Sequence, residues 1–414
     1  MPLSSRSQRD APVTPKVGIT LNAVPTLRSS IFPIAEQGIS GTPSFGILSP
    51  YPPSYCGLAT FSSALSDALA AIGSDVNVVR VADGSPCSSP RVIGELVNGS
   101  STSIATTAEL LNQSDIAVIQ HDYGIYGGVD GDEVVDIVGR LHVPSVVVAH
   151  SVLKDPTPHQ HSVFEALAAL ADQLVVMSEA ARRRLHNEFG IDRWKVTTIP
   201  HGATIPTNAP LKRSGRPTLL TCGLLGPGMG IERVIEAMVS LRDLNGRPRY
   251  LIAGRTHPEV LTADGDAYRA GLIEHAQRMG VADAVFFEST ERDASTLTAL
   301  MQSSAMVVLP YDPADRVTCS VLVGAIASGR PVVATAFPHA VELLGSGAGI
   351  VVGHDDPGAL ASALRRVLTD PRISGAMAAE ARRLAPTMSW QVVARAYLVL
   401  AQRLLTAPPA LVWP

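Results

Sequence analysis

Tyr311 to Thr335, YDPADRVTCSVLVGAIASGRPVVAT, is the stretch that decides the fold. An apolar run ends at Pro310 and a polar loop follows. Small and apolar residues then continue as in a buried helix, and Gly329-Arg330-Pro331 leads into a short β-branched strand. Strand, loop, helix and strand in that order set a helix N-terminus beside the carboxyl end of a parallel strand, where backbone N–H groups can hold phosphate.

Outward from this unit the same alternation recurs. Strands are expected at Met306–Leu309 and Val332–Ala334 around it, and at Thr218–Cys222, Tyr250–Ala253 and Ala284–Phe287 before it. Further upstream they are expected at Phe45–Leu48, Asn77–Val81, Asp115–Gln120, Ser145–Ala149, Gln173–Met177 and Val196–Ile199. Between them apolar residues recur at helical spacing, as in Leu58, Phe61, Leu65, Leu69 and Ile72. Alternating strands and helices predict doubly wound α/β domains. Thr204–Pro217, with Pro206, Pro210 and Pro217, reads as a linker. The predicted organisation is a flexible tail over 1–43, a first α/β domain over 44–203, a second over 204–387 and a tail over 407–414. Trp390, Val393, Tyr397, Leu400 and Leu404 form one stripe of a last helix behind Ser389, a plausible N-cap. A short strand at Val17-Gly18-Ile19-Thr20 is expected within the first tail.

Composition narrows the function. The 414 residues carry 37 acidic and 33 basic side chains, a formal net charge of −4 without a clustered basic excess, which argues against a nucleic-acid partner. Aromatic residues make up only 5%, so the cores must be built of Ala, Val, Leu and Ile, as suits buried parallel strands. Cys56, Cys87, Cys222 and Cys319 form no C-x-x-C pair, and reduced thiols in a cytoplasmic protein are expected. No apolar run reaches the ~18 residues of a membrane span, which leaves peripheral membrane contact open.

Residues able to carry chemistry fall just after strands. Pro52-Pro53 keeps the chain extended, and Gly57 would let backbone approach a ligand where a helix opens, although an ordinary strand-to-helix turn would look the same. His121-Asp122-Tyr123-Gly124 follows one buried strand and His150-Ser151 another, the position at which open α/β sheets bind ligands. His159 and His161 lie two apart, so on a helix they diverge and read as surface residues. Gly223-Leu224-Leu225-Gly226-Pro227-Gly228-Met229-Gly230 can approach phosphate at the start of a second-domain helix. Arg255 and His257 follow the next strand. Arg316, Thr318, Ser320, Val321 and Leu322 occupy the loop and first turn of the helix in the deciding stretch.

With these motifs the chain, over about residues 44–405, resembles the retaining glycosyltransferases of the two-Rossmann-domain (GT-B) type, the glycosyl transferases group 1 family. The resemblance implies two domains facing a cleft, with a nucleotide diphosphate sugar held mainly by the second. It implies an acceptor hydroxyl in the first and a hexose transferred with retention, without a metal or other cofactor. It gives Gly57 a place facing sugar and phosphates, and His121 and Asp122 a place in the acceptor pocket. His150 would bind a sugar hydroxyl, His201-Gly202 would form a hinge, and the helix beginning Ser389-Trp390 would cross back onto the first domain, extending it by 388–406. Donor contacts would come from Gly223, Gly228, Gly230, Arg255, Arg316, Thr318, Ser320, Val321 and Leu322.

This sequence departs from the family pattern where the donor is held. Two glutamates eight positions apart are replaced by Arg316 and Gly324, and two basic residues of the glycine loop by Leu224 and Met229. Arg316 is therefore expected to supply diphosphate charge, and a lysine at position 229 to add to it. The same departure supports a second reading, a catalytically degenerate protein of this fold acting as a carbohydrate-binding or regulatory partner. An epimerase on this fold is a third, for which no convincing acidic set is found.

Overall fold

The computed structural model describes residues 41–207, 215–290, 292–312 and 315–406. The expected tails, apart from residues 41–43, the strand at Val17–Thr20 and positions 208–214 of the expected linker lie outside the described residues.

Two parallel sheets organise the chain. The first holds β1 (Phe45–Ser49), β2 (Val76–Val81), β3 (Val92–Leu96), β4 (Ile116–His121), β5 (Ser145–Ala149), β6 (Gln173–Val176) and β7 (Val196–Thr198) in the order β3-β2-β1-β4-β5-β6-β7. The second holds β8 (Thr218–Cys222), β9 (Arg249–Ala253), β10 (Val285–Glu288), β11 (Met306–Leu309), β12 (Val332–Thr335) and β13 (Gly349–Val352) in the order β10-β9-β8-β11-β12-β13. This is the two-Rossmann architecture expected. In each sheet the chain winds outward in one direction and then the other, reversing between β1 and β4 and between β8 and β11. Loops leaving the carboxyl ends of such a pair diverge and open a crevice.

The central strands are continuous apolar runs because both their faces are covered. Phe45 and Ile47 of β1 stand beside Ile116 and Val118 of β4 in one core, while Leu48, Ala117 and Ile119 point into the other. Two strands escaped the sequence reading, β3 and β13. Both are sheet edges. In β3 the exposed Ile93 and Glu95 and the central Gly94 break the apolar run that marks the inner strands. A Cβ on Gly94 would stand 2.4 Å from Leu110 Cδ1, so a larger residue would require that side chain to move.

The last helix, Trp390–Thr406, buries Val393, Tyr397 and Leu400 in the first domain's core with Phe61, Leu65 and Leu69. Its entry is tied to the connection between the sheets. Ala203 N donates to Met388 O at 2.7 Å, and Ala203 bridges Ser389. Trp390 lies so close over Gly202 that a Cβ there would come within 2.2 Å of the indole.

Candidate functional site

On the second-domain wall, three loops meet at the reversal point. The glycine loop after β8 folds onto the chain leaving β11. Gly230, at φ +63°, has Pro310 O where a Cβ would stand, 1.8 Å away, and Asp312 N donates to Gly228 O at 2.9 Å. The loop is also laced to the one after β9, through Leu225 N to Arg255 O at 2.7 Å and His257 N to Leu225 O at 2.8 Å. Gly223, at φ +126°, faces the third element, with Val321 Cγ2 4.0 Å from a Cβ position. The sequence thus brings Gly223, Gly228, Gly230, Arg255 and Val321 to one place.

The helix Ser320–Ala327 enters this place with no side chain capping its N-terminus. Its first amides lack intrahelical acceptors, which makes them donors for an anion. Cys319 N, just before the helix, donates to His339 Nδ1 at 2.9 Å. Thr318 Oγ1 is buried without a partner, and Ser320 is exposed. The Arg316 guanidinium lies 4.3 Å from the centre of the Tyr311 ring, and no carboxylate pairs with it among the described residues. A stacked arginine is held in place with its in-plane N–H groups still able to donate.

Two features sharpen the departure from the family pattern. A Cβ on Gly324 would only touch Met301, at 3.4 Å from its Sδ and Cε, so a thioether covers that position. Met229 is buried, 8% exposed, in the second domain's core. A lysine there would have to thread its stem past core residues to reach a phosphate, so the simple gain expected of it does not follow. Leu224 is exposed. One turn further on, Arg233 does carry charge, but its Nε pairs with Asp312 Oδ1 at 2.8 Å and its Nη1 donates to His354 O.

The first-domain wall is built of buried and half-buried rings. His150, after β5, meets Gln120 Oε1 through Nε2 at 2.6 Å and stands edge-on to Phe61 at 4.9 Å. Phe61 also touches His201 and Trp390, and His201 Nδ1 contacts Gly202 O at 2.7 Å. His121, at the end of β4, is fully buried between Tyr123 and Phe164, with neither ring nitrogen bonded. Its ring is covered by these neighbours and has no exposed surface. Asp122 Oδ2 accepts from Ser151 Oγ at 2.6 Å. Burial disfavours charge on each imidazole, pushing His121 and His201 down to about 4 and His150 to about 3. Burial likewise lifts the Tyr123 phenol to about 12. At neutral pH the three imidazoles are uncharged; those of His150 and His201 hydrogen-bond, while both nitrogens of His121 have no partner.

The loop carrying Gly57 spans the two walls. Arg80, with no exposed surface, fixes its base by donating to Tyr51 O at 3.2 Å and Ser54 Oγ at 3.0 Å, and is itself neutralised by Asp83 and by Glu95 at 2.7 Å. Tyr55 reaches across. Its hydroxyl donates to Arg292 O at 3.1 Å and accepts from Arg292 N at 2.9 Å, and Arg255 lies over its ring at 4.8 Å. Gly57 opens the following helix, and a Cβ there would meet no protein atom within 4 Å. Two further contacts cross between domains: Ser178 Oγ donates to Val317 O at 2.6 Å, and Glu342 accepts from the amides of Glu179 and Ala180 at 3.0 Å each.

Arg80, Gln120, Tyr55 and Arg292 were not singled out from the sequence. Two of them carried a signal: Gln120, a carboxamide in the buried strand IAVIQH, and Arg80, a charge in the buried strand VNVVRV. Tyr55 and Arg292 are 237 positions apart, and nothing local marks either.

Comparison with known proteins agrees with this architecture. Residues 207–384 match the family described as Glycosyl transferases group 1, and residues 55–205 match Glycosyltransferase Family 4. The glycogen synthase of Mycobacterium tuberculosis is 31% identical over 245 residues, 57% of this chain and 55% of that protein. The D-inositol 3-phosphate glycosyltransferase of Kineococcus radiotolerans is 29% identical over 300 residues, 65% of this chain and 66% of that one. The match to the first of these thus spans just over half its length. Among solved structures, sucrose-phosphate synthase from Thermosynechococcus elongatus superposes with a TM-score of 0.70 at 19% identity, over 88% of this chain and all of the other. Anabaena Alr3699/HepE in complex with UDP gives 0.68 at 15%, over 87% and 99%. The chain belongs to the group 1 glycosyltransferases of the GT-B type.

Proposed function

We propose that the chain transfers a hexose from a nucleotide diphosphate sugar to an acceptor hydroxyl with retention of configuration. The observation that carries this reading is convergence. The glycine loop, the uncapped N-terminus of Ser320–Ala327, and Arg255 and Arg316 gather at the second sheet's reversal point, while His150 and Asp122 leave adjacent strands of the first. The relatives' names fit glycosyl transfer, and the UDP in a structural neighbour's complex supports this donor class.

In this reading the diphosphate lies against the amides of Val321 and Leu322, with Gly223, Gly228 and Gly230 admitting it closely. As the sugar–phosphate bond breaks, charge grows on the leaving oxygen. Arg316 stabilises it in place of the lysine that Met229 replaces. Among the described residues no carboxylate stands as a nucleophile, so the acceptor oxygen attacks from the face the phosphate leaves, and the leaving phosphate takes the acceptor's proton. His150 and His121 are too weakly basic to serve as that base. His150 instead accepts a hydrogen bond from a sugar hydroxyl, and Asp122 orients the acceptor. Arginines and amides supply all the charge compensation, so the reaction as proposed uses no resident metal. The four free cysteines suit a cytoplasmic setting.

The Met301 thioether against Gly324 and the burial of Met229 favour the alternative, a degenerate carbohydrate-binding or regulatory protein. A donor panel decides between them. UDP-, GDP- and ADP-sugars are each added to about 100 times their dissociation constant, and thermal unfolding and sugar release are followed. One donor should stabilise the protein by ~2.7 kcal/mol and be turned over. Stabilisation by none of them would replace the enzyme with the alternative.

A further inference from the structure

Gln120 stands near the end of β4, a strand buried along its whole length, and has no exposed surface itself. Its side-chain oxygen lies 2.6 Å from His150 Nε2, while its side-chain nitrogen is buried without a partner. A valine or leucine would suit such a strand better. An unmet amide donor costs stability, and a buried polar group of this kind calls for an explanation other than folding.

The explanation is in the imidazole. A carboxamide oxygen can only accept, so the nitrogen facing it must carry the ring proton. A neutral ring then has its lone pair on Nδ1. That atom bonds to no protein group among the described residues and is not among the buried unpartnered atoms. We propose that Gln120 is a positioning residue that locks His150 in its Nε2–H form, so that Nδ1 is presented as an acceptor to a hydroxyl of the bound sugar. The proposal rests on the glycosyltransferase reading for the identity of that hydroxyl, but not for the tautomer.

The surroundings keep the ring uncharged. The groups facing His150 are Phe61 from the helix Gly57–Ala71, His121 from the end of β4 and His201 from the connection after β7. Both histidines are held neutral as well. No carboxylate among the described residues interacts with the ring, so Gln120 chooses which nitrogen is protonated.

The test uses the full chain labelled with 15N-histidine. Long-range 1H–15N spectra are recorded from pH 5 to 8, with the His150 signal assigned by its loss in His150→Gln. The parent should show one Nε2–H tautomer, unchanged over this range. Gln120→Leu should give a mixture of tautomers, leave nucleoside diphosphate binding as in the parent, and lower kcat roughly three- to tenfold, the worth of one hydrogen bond. Gln120→Glu keeps the oxygen and adds a charge, so His150 should become protonated near neutrality and the pH–rate profile should gain an ionisation that the parent lacks. A single Nε2–H tautomer in Gln120→Leu, or an Nδ1–H ring in the parent, overturns the proposal. Should Gln120→Leu fail to fold, Gln120→Glu decides alone, and an unchanged His150 titration there overturns it equally. The tautomer shift without any sugar transfer by the parent would keep the positioning role and remove the glycosyltransferase reading.

Discussion

On the first-domain wall the rings of His121, His150 and His201 are stripped of charge by burial, whereas the second-domain wall carries guanidinium groups: Arg316 stacks on Tyr311 with no carboxylate partner among the described residues, Arg255 lies over Tyr55, and Arg292 is paired with Glu288. Through His150 and His201 the first wall offers neutral acceptors and donors, suited to sugar hydroxyls, while His121 is sealed behind Tyr123 and Phe164. The second offers the Arg316 guanidinium and the uncapped N-terminus of Ser320–Ala327, suited to phosphate. His339 belongs by chemistry with the first set although it sits on the second domain. Burial pushes it down to about 4, and its Nδ1 accepts from the amide preceding the donor helix. The contrast teaches that, against the family pattern, positions 224, 229, 316 and 324 lose two basic groups and two carboxylates from one wall and gain one guanidinium, that of Arg316.

The largest effect expected is steric. Gly230→Ala places a methyl on Pro310 O and forces a left-handed backbone on an alanine. Overpacking and strain together should cost about 3 kcal/mol and loosen the donor loop. Urea unfolding checks it, and a loss under 1 kcal/mol would mean the second wall is softer than described.

Acid should act through the neutral rings. His121 and His339, at most 1% exposed, ionise near 4 when folded and near 6.5 when unfolded. Between those values the unfolded chain binds more protons, so stability is complete above about pH 6.5 and falls as pH drops toward 4. At pH 4.5 each ring should cost roughly 2–3 kcal/mol. His339→Gln, whose carbonyl can still accept from Cys319 N, should flatten that slope in pH-dependent unfolding. An unchanged slope would remove His339 from the set.

Much of this was legible in the sequence, for identifiable reasons. The inner strands announce themselves because burial on both faces demands unbroken β-branched runs, and the site loops because they follow those strands. β3 was missed because Gly94 and Glu95 interrupt it, whereas β13 carries a short run, Ile350-Val351-Val352, set between glycines, that went unread. The crossing of the walls was missed because Tyr55 meets Arg292 only through folding, with a hydroxyl and a main chain that no motif encodes. His121 was legible as a position and not as an environment: its place after β4 was clear, while its complete burial depends on Tyr123 and Phe164 closing over it.

The smallest effect concerns that crossing. Tyr55→Phe keeps the ring under Arg255 and removes both hydrogen bonds to Arg292. At ~1 kcal/mol it should raise the donor KM about fivefold with kcat nearly unchanged. A fall in kcat with KM constant would instead place Tyr55 in the transition state.

The central claim is that Arg316 supplies diphosphate charge on a wall that lacks the family's lysine. Isothermal titration of UDP into the parent chain and into Arg316→Ala tests it most directly. Loss of one charged hydrogen bond, ~1.5–3 kcal/mol, predicts binding roughly ten- to a hundredfold weaker in the variant. Equal affinity in parent and variant would contradict the account.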